Sequence, residues 1–124
     1  MASTDPKAVA DKFFKAWTTG DFVTARGLLH DDLSFDGPLD KFDNADAYVA
    51  ALTGLAQIVE STEEQKVFVD DNDVCVIYNL VTNTPAGAAL TAEWYHLRDA
   101  KISAVRVIFD ARPFAAMFEG RAGH

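Results

Sequence analysis

Apolar residues recur every three or four positions in three segments of the first half of the chain, which predicts three helices. The first starts at Asp5, whose carboxylate can cap free amides and is followed by a proline suited to the first helical turn. The second is capped by Asp21 and carries its apolar positions as far as Leu29. The third starts at Asp43 or Asn44.

The pattern changes after the third helix, where β-branched and aromatic residues alternate with polar ones as they do in strands. The predicted strands are Leu33–Phe35 in the first half and Gln65–Val69, Val74–Thr82, Ala89–Leu97 and Lys101–Phe109 in the second. Polar turns separate the last four strands and indicate an antiparallel meander. A last short helix is predicted over Ala111–Phe118. The order indicates one α+β domain, residues 1–124, with helices on one side of a curved sheet.

Composition and charge exclude several classes of partner. The net charge of −8 argues against binding to the phosphates of nucleic acid and to an anionic membrane surface. No apolar run approaches the ~18–20 residues that a membrane span needs, and the start of the chain lacks the pattern of a signal peptide. We therefore expect a cytoplasmic protein that binds neither nucleic acid nor membrane.

Metal and cofactor motifs are missing from the sequence. The chain has three scattered histidines and one cysteine, without the spacing of a zinc site. It also lacks the glycine-rich loops of nucleotide-binding proteins and the nucleophile motif of α/β-hydrolases. We expect no metal and no cofactor. Nine Phe, two Trp and three Tyr are instead enough to fill a core and to line an apolar cavity.

The stretch FFKAWTTGDFVTARGLLHDDLSFDGP, followed by a helix and by AEWYHLRDAKISAVRVIFDARPF, resembles the nuclear transport factor 2-like superfamily. Within it, the chain is most similar to the SnoaL-like branch, a neighbour of the ketosteroid isomerases. The resemblance covers roughly residues 5–118 and implies a cone-shaped α+β barrel with a cavity between its helices and its concave sheet. It also implies a homodimer formed through the convex face of the sheet, but no single activity.

The catalytic residues of the known enzymes are only partly matched. The general base of the isomerases corresponds to Gly37, and their oxyanion tyrosine corresponds to Phe13. The His-Trp-Asp run of the SnoaL-type cyclases corresponds to residues 105–107, which are Val-Arg-Val. Asp36 lies one position before Gly37, and strand alternation turns it away from the face of Phe35. Two interpretations of Asp36 stay open: a bulge at Gly37 returns it to the pocket as a catalytic acid, or it is a rim acid of the turn.

Glu93 is the other candidate catalytic acid, and it matches the inward acid of the isomerases' oxyanion hole. Strand alternation places it on one face with Tyr95. Among aromatic side chains its neutral form is favoured, so it can donate a hydrogen bond to a carbonyl; ionised, it can accept a proton or hold a cation. The alternative is a glutamate that faces water or pairs with Arg106 or Lys101. Tyr78 or Asn79 lies across the hairpin from it, according to the register of the turn.

The predicted function is binding of a small apolar molecule. The residues expected to line the pocket are Phe13, Trp17, Phe35, Tyr48, Leu52, Asn79, Tyr95, Val105 and Phe109. Two classes of function stay open. One is a cofactor-independent acid–base enzyme of isomerase, hydratase or cyclase type, and the other is a non-catalytic ligand-binding or dimeric scaffold module.

Overall fold

A computed structural model describes residues 5–114 of the chain. Its helices are α1 (Pro6–Thr18), α2 (Phe22–Gly27) and α3 (Ala45–Ala56). Its strands are β1 (Leu29–Asp36), β2 (Lys41–Phe42), β3 (Val59–Asp70), β4 (Asp73–Thr82), β5 (Ala88–Arg98) and β6 (Lys101–Ile108). A further helical turn covers residues 112–114. It matches the start of the predicted last helix, whose residues 115–118 lie outside the described part of the chain.

The six strands form one sheet in the order β2-β1-β6-β5-β4-β3. The neighbours β3, β4, β5 and β6 pair in antiparallel fashion, as the meander predicted. β1 pairs with β6 in parallel, and β2 pairs with β1 in a short hairpin that the sequence pattern did not predict. The fold is the predicted mixed α+β fold with a curved sheet.

Side-chain caps start the helices where the sequence indicated. The carboxylate of Asp21 accepts a hydrogen bond from the backbone N–H of Thr24 at 3.1 Å. The amide oxygen of Asn44 accepts one from Ala47 at 2.8 Å, which identifies Asn44 and not Asp43 as the cap of α3. The prediction of a helical Leu29 was wrong, because α2 ends at Gly27 and Leu29 is the first residue of β1.

Alternation along β4 and β5 gives the sheet one buried face and one accessible face. On β4 every second residue from Val74 is buried, and on β5 the same is true from Ala89 to Leu97. The helices pack over this buried face, where α1 contributes Phe13 and Trp17 with no exposed surface. The core therefore lies between the helices and the concave side of the sheet.

Candidate functional site

A cavity of about 490 Å³ lies between the helices and the concave face of the sheet. This volume is in the usual range for small-molecule sites, roughly 300–1,000 Å³. Its aromatic lining residues are Trp17, Phe35, Phe42, Tyr48, Tyr78, Phe109 and Phe114. The exposed lining residues Pro38 and Asp40, from the β1–β2 turn, and Gly54 and Gln57, from the end of α3, form the rim. The cavity therefore has aromatic walls and a small polar rim.

Glu93 is the buried charged group of this cavity. Its side chain projects from the middle of β5 into the cavity lining, and the residue is 2% exposed. The carboxyl oxygen Oε1 has no hydrogen-bond partner among the described residues. Burial raises the pKa of Glu93 from 4.5 to about 7, because removal from water disfavours the charged form; the facing hydroxyls of Tyr95 and Tyr78 lower it by less. Glu93 thus exchanges its proton near neutral pH.

Three tyrosines surround Glu93. Tyr78 and Tyr95 come from β4 and β5, and Tyr48 comes from α3. Burial raises the pKa of each phenol well above 10, and the nearby charge of Glu93 raises it further. All three therefore keep their protons at neutral pH and remain hydrogen-bond donors.

Among residues 5–114, several buried polar atoms around this site have no hydrogen-bond partner. Besides Glu93 Oε1, they are the indole Nε1 of Trp17 and the hydroxyls of Tyr48 and Tyr95. An unpaired buried polar group costs about 1–3 kcal/mol, so such groups are normally satisfied by protein, water or ligand. Trp17 can only donate, and the two phenols each have a proton to donate. Of these groups, Trp17 and Tyr48 border the cavity and can each donate, so a guest that offers an acceptor oxygen would satisfy both.

The charged residues of the lining are acidic. Among the described lining residues, Glu93 and Asp40 are charged and none is Lys, Arg or His. A buried carboxyl without a cation nearby has no charge partner that stabilises its ionised form. No group of three or more His, Cys, Asp or Glu side chains within residues 5–114 is arranged to hold a metal ion. The polar groups inside the cavity are thus the carboxyl of Glu93, the phenols of Tyr48 and Tyr78, the hydroxyl of Thr91 and the indole of Trp17, while Asp40 and Gln57 lie at the rim.

Most of the residues that the sequence assigned to the pocket do border it. These are Trp17, Phe35, Tyr48, Leu52, Glu93 and Phe109. Phe13, Tyr95 and Val105 lie behind the lining in the packed core, where the ring of Phe13 contacts those of Tyr48 and Tyr95 at centroid distances of 6.1 and 5.8 Å. Tyr95 still influences the site, because its hydroxyl faces the carboxyl of Glu93 and lowers the pKa of that carboxyl.

Asn79 was placed on the wrong side of the sheet. Its backbone pairs with Leu90, and its side-chain amide donates a hydrogen bond to Glu63 on β3 at 3.2 Å. Tyr78 on β4 lies instead on the concave face. It pairs with Thr91, which precedes Glu93 by two residues on β5 and shares its face. The register of the β4–β5 hairpin decides between the two, and it was the point left open by the sequence.

Asp36 does not border the cavity. Its carboxylate is about half exposed and lies 3.8 Å from Nζ of Lys41 and 3.9 Å from a guanidinium nitrogen of Arg106. It pairs across the sheet with Arg106 on the face opposite Glu93. Asp36 and Glu93 therefore do not converge on one guest. The structure thus does not return Asp36 to the pocket, and its carboxylate lies near the cations Lys41 and Arg106 instead.

Sequence reasoning missed the part of the lining made by the β1–β2 turn, residues 37–40, and by Leu80, Ala89 and Thr91. Alternation with Glu93 was a signal for Ala89 and Thr91, since all three share one face of β5. The turn gave no such signal, because a two-residue β2 is too short to produce a recognisable pattern.

A model of the SnoaL-like domain matches residues 10–105, which is most of the chain. The chain belongs to the SnoaL-like domain family. No curated protein matches the sequence significantly.

Solved structures agree with this membership. A protein from Kribbella flavida DSM 17836 is 27% identical with a TM-score of 0.82, over 94% of this chain and 96% of the other. An NTF2-like protein of unknown function from Cytophaga hutchinsonii ATCC 33406 is 24% identical with a TM-score of 0.79, over 92% and 97%. An LEH-like epoxide hydrolase from M. tuberculosis is 18% identical with a TM-score of 0.75, over 97% and 94%. At 18% identity the hydrolase shares the fold alone with this chain.

None of the described helices is long and apolar enough to cross a membrane.

Proposed function

We propose that this SnoaL-like domain binds a small, mostly apolar molecule in the cavity and anchors one acceptor oxygen of that molecule with Glu93. The observation that carries the proposal is the pairing of an aromatic cavity of about 490 Å³ with a buried carboxyl at its wall, whose oxygen Oε1 has no hydrogen-bond partner among residues 5–114. Aromatic walls favour an apolar guest, and a small number of polar groups fix its orientation. A carbonyl compound is the simplest guest of this kind.

The protonation of Glu93 determines how it holds such a guest. Its pKa of about 7 leaves it mostly neutral in mildly acidic solution, where its O–H can donate to a carbonyl oxygen. Above neutral pH the carboxylate can only accept, and it repels the partial negative charge of the same oxygen. Binding of a neutral ketone should therefore weaken as the pH rises through 7.

We expect 2-decalone to bind about tenfold more weakly at pH 8 than at pH 6, because the binding-competent protonated form becomes the minor one. Binding is followed by the fluorescence of Trp17 in a Trp94→Phe background, since Trp94 is exposed and on the other face of the sheet. Glu93→Gln, which keeps a donor and cannot ionise, should bind the ketone equally at both pH values. A wild-type affinity that does not change with pH would contradict the proposal.

Acid–base catalysis is the second candidate function. It is favoured by one observation, the pKa of about 7 at a buried carboxyl, which allows Glu93 both to take and to return a proton at neutral pH. The donors Tyr48 and Trp17 lie in the same cavity and can hold a developing enolate oxygen. This candidate makes Glu93 the catalytic residue and assigns no part to Asp36.

We also propose a homodimer through the accessible face of the sheet. Four of the exposed large apolar side chains lie on this face: Phe68, Leu90, Trp94 and Ile108. The guanidinium of Arg106 lies 5.6 Å from the centre of the Trp94 ring, so the face combines aromatic, aliphatic and basic groups, as interfaces do. Sedimentation should show a dimer at micromolar concentration and a monomer for Trp94→Glu. A wild-type monomer at high micromolar concentration would contradict the proposal.

A further inference from the structure

Gly37 lies where β1 ends and the turn over the cavity begins, and it is part of the lining. A Cβ atom at this position would lie 2.9 Å from Cζ and 3.0 Å from Cε2 of Phe35. Real Cβ atoms essentially never come so close to another carbon. The absence of a side chain at residue 37 is therefore what allows the Phe35 ring to lie where it does.

The Phe35 ring is confined on its other sides. It stacks on Tyr48 with a centroid distance of 4.7 Å and an interplanar angle of 21°, and its centroid is 5.7 Å from that of Phe42. Tyr48 is itself 1% exposed and packs on Phe13, so it cannot yield toward the helices without disturbing the core. The ring borders the cavity on the side away from these neighbours, so a displaced ring would move into it.

We infer that Gly37 is a specificity-determining residue that sets the upper size of the guest by keeping the Phe35 ring against the cavity wall. The inference rests on the proposed function, since it concerns the guest of the same cavity. Gly37 acts through Phe35 and does not itself anchor the polar end of the guest. Any side chain at residue 37 would move the ring inward and exclude larger guests while still admitting smaller ones.

Gly37→Ala is a clean test, because the backbone accepts it. Gly20 and Gly87 have positive φ angles of 86° and 71°, but Gly37 is not in the left-handed region. Its N–H donates to the carbonyl oxygen of Asp40 at 3.0 Å, and alanine keeps that donor. Gly27→Ala is the matched control: Gly27, the last residue of α2, is not among the lining residues, and a Cβ there meets no atom within 4 Å.

The experiment measures binding of one small and one larger ketone, cyclohexanone and 2-decalone, by Trp17 fluorescence in the Trp94→Phe background. We expect Gly37→Ala to weaken 2-decalone binding about tenfold and to change cyclohexanone binding less than about twofold, because only the larger guest meets the displaced ring. Gly27→Ala should leave the ratio of the two affinities within about twofold of the wild-type ratio. Equal weakening of both ketones by Gly37→Ala, or no weakening of either, would overturn the inference.

A second change separates the effect of the ring from a general loss of packing. In the Gly37→Ala background, Phe35→Leu removes the ring, and we expect it to restore 2-decalone binding to within about threefold of wild type. Continued exclusion of 2-decalone by the double variant would show that residue 37 does not act on the guest through Phe35.

A crystal structure of ligand-free Gly37→Ala provides a readout that does not depend on any ketone. The expected result is a Phe35 ring turned into a smaller cavity, and a ring that keeps its wild-type position would overturn the inference. If neither ketone binds the wild-type protein, the proposed function fails, and this structure alone decides the role of Gly37. The two failures are therefore distinguishable.

Discussion

Glu93→Gln should stabilise the protein at pH 8 by about 3 kcal/mol more than it does at pH 4.5. The reason is that burial raises the pKa of Glu93 from 4.5 to about 7. Below pH 4.5 the folded and unfolded chains both hold this proton, and the wild-type protein has no penalty from it. Between pH 4.5 and 7 the unfolded chain releases the proton while the folded chain keeps it, so the free energy of unfolding falls as the pH rises.

Urea unfolding of the wild type and of Glu93→Gln across this pH range measures the difference. Other carboxyls affect both proteins equally, so the difference between the two curves isolates Glu93. The matched control is Glu60→Gln, which removes one negative charge from an exposed position on β3. A stability difference for Glu93→Gln that stays constant from pH 4.5 to 8 would show that folding does not raise the pKa of Glu93, and therefore that its carboxyl is not buried.

The wild-type protein should also accelerate the exchange of the α-protons of 2-decalone in D₂O, and Glu93→Gln should abolish that acceleration. In this reaction the ionised carboxyl of Glu93 takes a proton from the carbon next to the carbonyl, and the C–H electron pair forms an enolate. The hydroxyl of Tyr48 and the indole N–H of Trp17 donate to the enolate oxygen, and Glu93 then returns a deuteron acquired from solvent. The rate per bound ketone should rise with pH through the midpoint of Glu93 in the complex, which lies above 7 because the ketone favours the protonated form, and this trend is opposite to that of binding.

Proton NMR of the ketone measures this exchange directly. Asp36→Asn is the matched control, because that carboxylate is half exposed and lies on the other face of the sheet. We expect it to exchange at the wild-type rate. Exchange that is equally fast for Glu93→Gln would eliminate the acid–base function, whereas binding without any exchange would leave the protein a ligand-binding module.

The parts of the fold that follow from local pattern were predictable. The caps Asp21 and Asn44 hydrogen-bond the first turns of their helices, and both are recognisable in the sequence because short polar side chains favour this position. That Glu93 and Tyr95 share one face follows from strand alternation in β5, a signal that does not depend on the rest of the fold. These features are set by neighbouring residues.

The features that were missed depend on residues distant in the sequence. Whether Tyr78 or Asn79 faces the cavity is decided by the register of β4 against β5, and a shift of one residue reverses every side chain. Phe13 lies on the buried face of α1, as a lining residue would. The ring of Tyr48, which packs on it, separates it from the cavity. The Gly37 turn joins the site only because β2 folds back on β1.

A ¹³C NMR titration of the Glu93 side-chain carboxyl tests the central claim most directly, since it observes the ionisation of the group itself. With the carboxyl buried at the cavity wall, the midpoint should lie near pH 7 and should rise when 2-decalone is added, because the guest binds the protonated form. A midpoint near 4.5 that does not move with the ketone would place the carboxyl in water and contradict both its burial and its role as the anchor of a guest.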